Sequence, residues 1–260
     1  MSEPFDADNL LDRRSDPATL RLHYDQEERR ERELLTGRLG LSGGDVLSVG
    51  CGWHPGRHLF PRPRWRLTGV DLDAAMIDHL LETRDLDAGL SGRAGELDFP
   101  SGSFDVVLYR LVLHHIAFQG PLAPVFAEAA RFLRPGGALV AVEPGLWHPV
   151  GAGLALANRA GLGPTVHGTP DDIPLSPRGL AREARAAGLA PELHTVTFGW
   201  RRLPGAAQRA IHRLDVLGSR RRLAPFGHTL MLIGRRSSAS GMPNPGASRG
   251  SPAGVQPSRS

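Results

Sequence analysis

Gly50 and Gly52 flank the only cysteine of the chain in Val46-Leu-Ser-Val-Gly-Cys-Gly52. Asp71 follows Gly50 by twenty-one residues, inside Leu67-Thr-Gly-Val-Asp-Leu-Asp73. Glycines at a strand end let the backbone approach a ligand closely, and a carboxylate at the end of the next strand can accept hydrogen bonds from both hydroxyls of a ribose. The pairing is a cradle for a nucleoside. Further along, His114 and His115 stand just past the apolar run Phe104-Asp-Val-Val-Leu-Tyr109, and Glu143 closes another, Ala138-Leu-Val-Ala-Val142. An imidazole at such a strand end can take a proton near neutral pH. Glu143 is a second candidate for a base or a substrate contact. The structural alternatives are that the His-His pair only shapes its loop and that Glu143 only caps a helix. His23 and Tyr24, Trp53 and Trp147, and Arg201, Arg202, Arg220, Arg221 and Arg222 are further candidates, for a lid, an apolar pocket and an anion contact respectively. His54, His58, His148 and His167 are scattered without ligand spacing, so no metal site is expected.

The elements that must position these groups follow from the hydrophobic pattern. Residues 18–39 read as an amphipathic helix, 45–49 as a first strand and 67–70 as a second. Asp73 predicts an N-cap for a helix to about Arg84. A third strand is expected at 90–94, a fourth at 104–109 and a fifth at 138–142. The helix 122–133 between the last two stops at Pro135-Gly136-Gly137. Residues 145–175 read as an irregular insertion with a helix near 152–160. Ser176-Pro177 opens a helix to about Ala187, and strands at 193–198 and 228–233 flank an Arg-rich helix at 206–217. Strands alternating with helices predict an α/β fold: a doubly wound, mostly parallel seven-stranded sheet with helices on both faces. Residues 18–236 form a single domain on this reading, with 145–175 and 200–225 as substrate-side insertions. A mobile N-terminus at 1–17 and a disordered, Ser/Gly/Pro-rich tail at 237–260 are expected on either side.

Bulk properties narrow the classes. No apolar run approaches the roughly 20 residues needed to span a bilayer, and the acidic N-terminus lacks the apolar stretch of a secretory signal. The expectation is a cytoplasmic protein without membrane contact. One cysteine excludes an internal disulfide and a cysteine-based metal cluster. All 31 basic residues are Arg. Residues 1–143 hold 16 Arg against 22 acids, whereas residues 144–260 hold 15 Arg against 5 acids, so the halves carry −6 and +10. A basic second half suits an anionic substrate or partner. No aromatics interleave with the Arg residues, so a nucleic-acid partner is not expected.

The order of the signals resembles the class I S-adenosylmethionine (SAM)-dependent methyltransferases, of the small-molecule type. The segments that carry the likeness are Val46-Leu-Ser-Val-Gly-Cys-Gly52, Gly69-Val-Asp-Leu-Asp73, Leu97-Asp-Phe-Pro-Ser-Gly-Ser-Phe-Asp-Val-Val107, Leu111-Val-Leu-His-His-Ile116 and Leu133-Arg-Pro-Gly-Gly-Ala-Leu-Val-Ala-Val-Glu143. They cover residues 20–145. The resemblance implies a Rossmann-like sheet and SAM as cofactor, with Gly50, Cys51 and Gly52 against its methionine and ribose parts. It further implies Asp71 on the ribose diol, Leu72 on the adenine, Arg93 and Ala94 at the adenine edge, and backbone at Arg110 and Leu111 facing the methionine portion. The implied activity is methyl transfer to a small-molecule acceptor, with oxygen as the expected nucleophile, an anionic group as a further expectation, and His114, His115 and Glu143 as catalytic candidates. Two positions depart from the family. Ser48 stands where an acid usually precedes the first glycine, and Arg93 where an acid usually meets adenine. These departures keep open a SAM-fold protein that does not methylate, such as a cyclase or a regulatory relative. A nicotinamide-dependent oxidoreductase shares the glycine turn but not the order of the five segments.

Overall fold

The computed structural model describes residues 16–162, 173–215 and 222–238. The expectations for the first 15 residues, for 163–172, for Arg220 and Arg221, for the end of the Arg-rich helix and for the tail from 239 lie outside the described residues. Helix α1 (Pro17–Arg38) opens on Asp16, whose carboxylate accepts from the Thr19 amide at 3.0 Å. Strand β1 (Gly44–Val49), β2 (Trp65–Asp71), α2 (Ala74–Glu82) and β3 (Ala88–Ser91) follow. Asp73 caps α2 through the Met76 amide, as its position predicts. Then come β4 (Phe104–Arg110), α3 (Leu113–Gln119), α4 (Ala123–Phe132) and β5 (Leu133–Pro144). The second half holds α5 (Pro149–Arg159), α6 (Pro177–Ala186), β6 (Leu189–Thr197), α7 (Gly205–Asp215), a short 3₁₀ turn (Ala224–Phe226) and β7 (Thr229–Arg236). Among the described residues, no helix is long and apolar enough to cross a membrane.

The seven strands form one sheet in the order β3-β2-β1-β4-β5-β7-β6. The five nucleus strands pair in parallel, whereas β7 runs antiparallel to both β5 and β6. From β1 the chain moves out to β2 and β3, then returns to the other side of β1 as β4. The carboxyl ends of β1 and β4 therefore bound the crevice where strand order reverses, which is where such sheets bind ligands. Both sheet faces are covered. Val46, Val106, Leu108 and Val140 pack with Leu34 and Leu35 of α1 and Met76, Ile77 and Leu80 of α2. Their neighbours Leu47, Val107, Tyr109 and Leu139 pack on the opposite face with Phe126 and Phe132 of α4 and Leu180 of α6. Burial on both faces is why these strands read as nearly continuous apolar runs.

The structure corrects several expected boundaries. The third strand lies at Ala88–Ser91 rather than 90–94, because its pairing with β2 ends where Asp71 meets Ser91. Arg93 and Ala94 consequently stand in a loop. Strand β5 begins at Leu133, next to Phe104, so Pro135-Gly136-Gly137 is an irregular stretch inside that strand. The helix after β5 starts at Pro149, with the His148 ring accepting from the Val150 amide at 3.3 Å, a cap that composition does not advertise. Strand β6 begins at Leu189, four residues earlier than expected, and its Pro191 is tolerated on an edge strand. Helix α3 was not expected at all.

Asp87, just before β3, anchors the segment between β1 and β2. Its carboxylate accepts from the Leu67 amide at 2.7 Å, from Arg57 at 2.6 Å and from the Arg62 Nε at 2.8 Å. Burial alone would raise its pKa, but the Leu67 amide and the two guanidinium groups hold it down at about 2. A depressed carboxylate stabilises the fold above its unfolded value near pH 4, and that contribution is lost as pH falls toward 2. Asp87→Asn is expected to cost about 1–3 kcal/mol at pH 7. In thermal unfolding followed by circular dichroism, the difference from the wild type should shrink between pH 4 and pH 2.

Candidate active site

The turn after β1 forms one wall of a cleft of about 590 Å³ at the strand-order reversal. Gly50 has φ +60°, and a Cβ there would stand 2.3 Å from the Val112 side chain, so neither the conformation nor the space admits a side chain. Gly52 has φ +49°, and a Cβ on it would meet no protein atom within 4 Å. Its missing side chain leaves the cleft open. The Gly52 amide donates to Asp71 Oδ2 at 3.0 Å, and the Asp73 amide to Oδ1 at 3.3 Å. Two backbone amides thus aim the Asp71 carboxylate while leaving each oxygen lone-pair capacity for a ligand. Leu72 lines the cleft with 63% of its surface exposed, an apolar platform unusual for a leucine beside a core.

The opposite wall is the loop after β3. Glu128 of α4 accepts from the Gly95 amide at 2.8 Å and the Leu97 amide at 2.7 Å, while Arg131 donates to the Phe99 and Leu97 carbonyls. This clamp explains the Leu97-Asp-Phe-Pro segment: Leu97 is buried and Phe99 packs edge-on against Phe104 and Phe132. Gly92, Arg93, Ala94 and Glu96 are held in the cleft as a result. Arg93 donates to Gln119 at the end of α3, 3.1 Å away. Glu96 and Gln119 were missed in the sequence, since neither sits in a recognisable segment. The carboxylate of Glu96, three residues beyond Arg93, was the one available signal.

Helix α3 begins where β4 ends, and its start is built by a residue from β5. Glu143 is fully buried. Its Oε1 accepts from the Val112 and Leu113 amides at 3.0 and 2.8 Å, and its Oε2 lies 2.7 Å from His114 Nδ1. The carboxylate does the work of an N-cap side chain, which Val112 cannot do. Accepting from Nδ1 also sets the tautomer: the neutral His114 ring carries its lone pair on Nε2. The His115 ring stacks on His114 with centroids 4.1 Å apart.

Leu111, at φ +55°, and His115 line the cleft and also a second cavity of about 660 Å³. That cavity is bounded by His23, Tyr24 and Glu27 of α1, by His114, by Val150, Leu154 and Ala157 of α5, and by Trp200, Arg201, Arg202, His228 and Thr229. Helix α1 is held over it by a buried ion pair. Arg110 donates to Glu31 from Nε at 3.0 Å and from Nη2 at 3.3 Å, and His58 lies 3.4 Å from the same carboxylate. Burial would raise the Glu31 pKa, but the Arg110 charge and the hydrogen bonds from His58 and Arg110 lower it.

The candidates therefore separate. Gly50, Gly52, Asp71, Leu72, Arg93, Ala94, Leu111 and His115 line the cleft. Cys51 and Arg110 do not. The Cys51 side chain is in the core, where burial and the neighbouring Asp71 push its thiol up to about 12. Arg110 turns its guanidinium to α1. Ser48 is buried within β1, and Glu143 sits behind His114 rather than in either cavity. Trp53 stacks edge-on with His79, and Trp147 packs with Phe226 and Arg178, both outside the two cavities.

A model of the methyltransferase domain matches residues 47–141. The "probable S-adenosylmethionine-dependent methyltransferase" of Mycolicibacterium smegmatis is 32% identical over 171 residues, covering 65% of this chain and 58% of that protein. The 27-O-demethylrifamycin SV methyltransferase of Amycolatopsis mediterranei is 34% identical over 129 residues, 46% of each. The chain thus spans about half the length of these curated relatives. Among solved structures, an S-adenosylmethionine-dependent methyltransferase from Thermotoga maritima superposes with a TM-score of 0.58 at 17% identity, over 85% of this chain and 92% of that one. The geranyl diphosphate C-methyltransferase of Streptomyces coelicolor gives 0.55 at 21% identity, over 80% of each chain. With the glycine turn, the Asp71 carboxylate in the cleft and the seven-stranded sheet around them, residues 47–141 are a methyltransferase domain of the class I S-adenosylmethionine-dependent kind.

Proposed function

We propose that the protein transfers the methyl group of SAM to an oxygen of a small-molecule acceptor bound in the second cavity. The observation that carries the reading is His114, backed by the buried Glu143 and lining a cavity that shares Leu111 and His115 with the cofactor cleft. When bound, SAM supplies a methyl group already activated on a sulfonium, so alignment of the nucleophile supplies much of the acceleration. Asp71, aimed by two amides, accepts from the ribose hydroxyls, and the exposed Leu72 packs on the adenine. Glu96 accepts from the adenine amino group, the role that Arg93 cannot fill because a guanidinium is donor-only. Arg93 instead closes the cleft edge through Gln119.

His114 Nε2 takes the proton of the acceptor hydroxyl as the new carbon–oxygen bond forms. Glu143 stabilises the resulting imidazolium and keeps the ring in place through Nδ1. His115, stacked on that ring and present in both cavities, positions the acceptor at the shared wall. The apolar residues of α5 and Trp200 suit an acceptor with a hydrophobic body. Arg201 and Arg202 in the same cavity favour a phenolate or carboxylate on it. Among the relatives, the rifamycin enzyme is named for oxygen methylation and the geranyl diphosphate enzyme for carbon methylation. The histidine–carboxylate pair, suited to an O–H proton, supports the first. We place the reaction in the cytoplasm, in keeping with one buried, unpaired cysteine.

Calorimetry with SAM should give binding that Asp71→Asn weakens about tenfold and Glu96→Gln by a few-fold, each having lost a charged hydrogen-bond acceptor. No binding to the wild type at millimolar SAM would sink the proposal. With labelled SAM and a panel of phenols and enols, His114→Ala is expected to lower kcat by about 10²–10⁴ while leaving SAM affinity unchanged. Equal loss of SAM binding and turnover in that variant would make His114 a structural residue.

A further inference from the structure

Besides His114, the second cavity is lined by another histidine–carboxylate pair, which the methyl-transfer chemistry does not use. His23 and Glu27 are one turn apart on α1, with Nε2 of the ring 3.5 Å from the carboxylate. The other oxygen of Glu27 accepts from Thr229 Oγ1 at 2.5 Å, so the carboxylate is itself oriented by β7. The Glu27 charge beside Nε2 favours the proton on that nitrogen, which leaves the lone pair on Nδ1. That Nδ1 is buried and has no hydrogen-bond partner, in a side chain only 2% exposed. Buried polar atoms nearly always have partners, and one left without any asks for an explanation.

The surroundings say what kind of partner is wanted. Facing His23 are Tyr24 on its own helix, Arg201 after β6, His212 and Asp215 of α7, and His228 before β7. Burial lowers the His23 pKa, and His212 and Arg201 lower it further against the pull of Glu27 and Asp215. The ring is accordingly neutral at pH 7 and offers an acceptor, not a donor. His228 is pushed down to about 3 by burial and by His148 and His23, so it adds no positive charge. His23 lines the second cavity but not the cofactor cleft, whereas His115 lines both. His23 stands among Tyr24, His212 and His228, whereas His114 stacks on His115, so a group bound at His23 meets a different set of rings from one bound at His114.

We propose that the acceptor carries two functional positions on an apolar body: the oxygen that is methylated, at the His114 end, and a separate hydroxyl that donates to His23 Nδ1. His23 is a specificity-determining residue on this reading, and Glu27 and Thr229 position it. The inference rests on the proposed use of the second cavity as the acceptor site. The chemical class is a hydrophobic, aromatic or alicyclic diol, and its half-etherified form is the product of the reaction.

The test uses the full chain labelled with ¹⁵N-histidine, in the presence of S-adenosylhomocysteine, with His23→Leu to assign the His23 signals. Without added probe, His23 should show its proton on Nε2. A proton on Nδ1, or a bridging water that persists at Nδ1 when probe is bound, overturns the proposal. Adding 2,6-dihydroxynaphthalene should shift the Nδ1 resonance, and 2,6-dimethoxynaphthalene should leave it in place. The diol should bind about tenfold tighter than the diether, and His23→Leu should bring that ratio to about one. A ratio unchanged in His23→Leu, or a diol that shifts only His114, overturns the proposal. Retained S-adenosylhomocysteine binding reports that the variant is folded, and if it is not, the tautomer and shift in the wild type still decide. Failure of the wild type to bind S-adenosylhomocysteine would overturn the methyl-transfer reading and the methylated position with it, whereas failure of the naphthalene titration alone would overturn only the hydroxyl contact at His23.

Discussion

The buried carboxylate of Glu143 is the constraint on which the site depends. Three hydrogen bonds converge on it, two from the backbone at the start of α3 and one from the His114 ring. Its position at the end of β5, beside β4, lets a residue some thirty positions later in the chain define where α3 begins. Without that acceptor the first amides of a short helix would be unsatisfied in the protein interior, at a cost of about 1–3 kcal/mol each. The same carboxylate sets the imidazole tautomer. Helix initiation and the tautomer of the His114 ring are thus fixed by one group, and the sheet register that brings Arg110 opposite Val142 is what delivers it.

A second layer of polar contacts holds the covers in place. Glu31 joins α1 to the end of β4 through Arg110, and Glu27 joins it to β7 through Thr229. Glu128 and Arg131 of α4 hold the loop that carries Arg93 and Glu96. Each of these carboxylates pairs with a backbone amide or a directed partner, which is the condition under which buried charge is tolerated. The sheet supplies the rigid frame, and these side chains hang the ligand-facing segments on it.

Much of this frame was legible in the residues. The strands at 45–49, 67–70, 104–109 and 138–142 are buried on both faces, and that burial writes itself into the sequence as unbroken apolar runs. The place of Gly50, Gly52 and Asp71 in the cleft was legible because a tight turn at one strand end and a carboxylate at the next each demand one residue type at one place. The rest was not, for physical reasons. Helix α3 has no cap of its own, since its cap is Glu143. The third strand is a four-residue edge whose extent is set by pairing with β2, not by its own composition. Glu96 reaches the cleft only because Glu128 bends the loop, and the unpaired nitrogen of His23 in the second cavity is something no pattern of residues reveals.

Leu111 and His115 are common to both cavities, so a single wall separates the two ligand spaces. Leu111 adopts a left-handed backbone conformation, and holding a non-glycine residue there costs of order 1–3 kcal/mol, a cost met only where the surroundings enforce it. A ligand in the cleft that orders this shared wall would spare a ligand in the second cavity that conformational cost, which is heterotropic cooperativity without a change of fold. Linkage makes the effect reciprocal: whatever factor the filled cleft adds to affinity in the second cavity, the filled second cavity adds to affinity in the cleft.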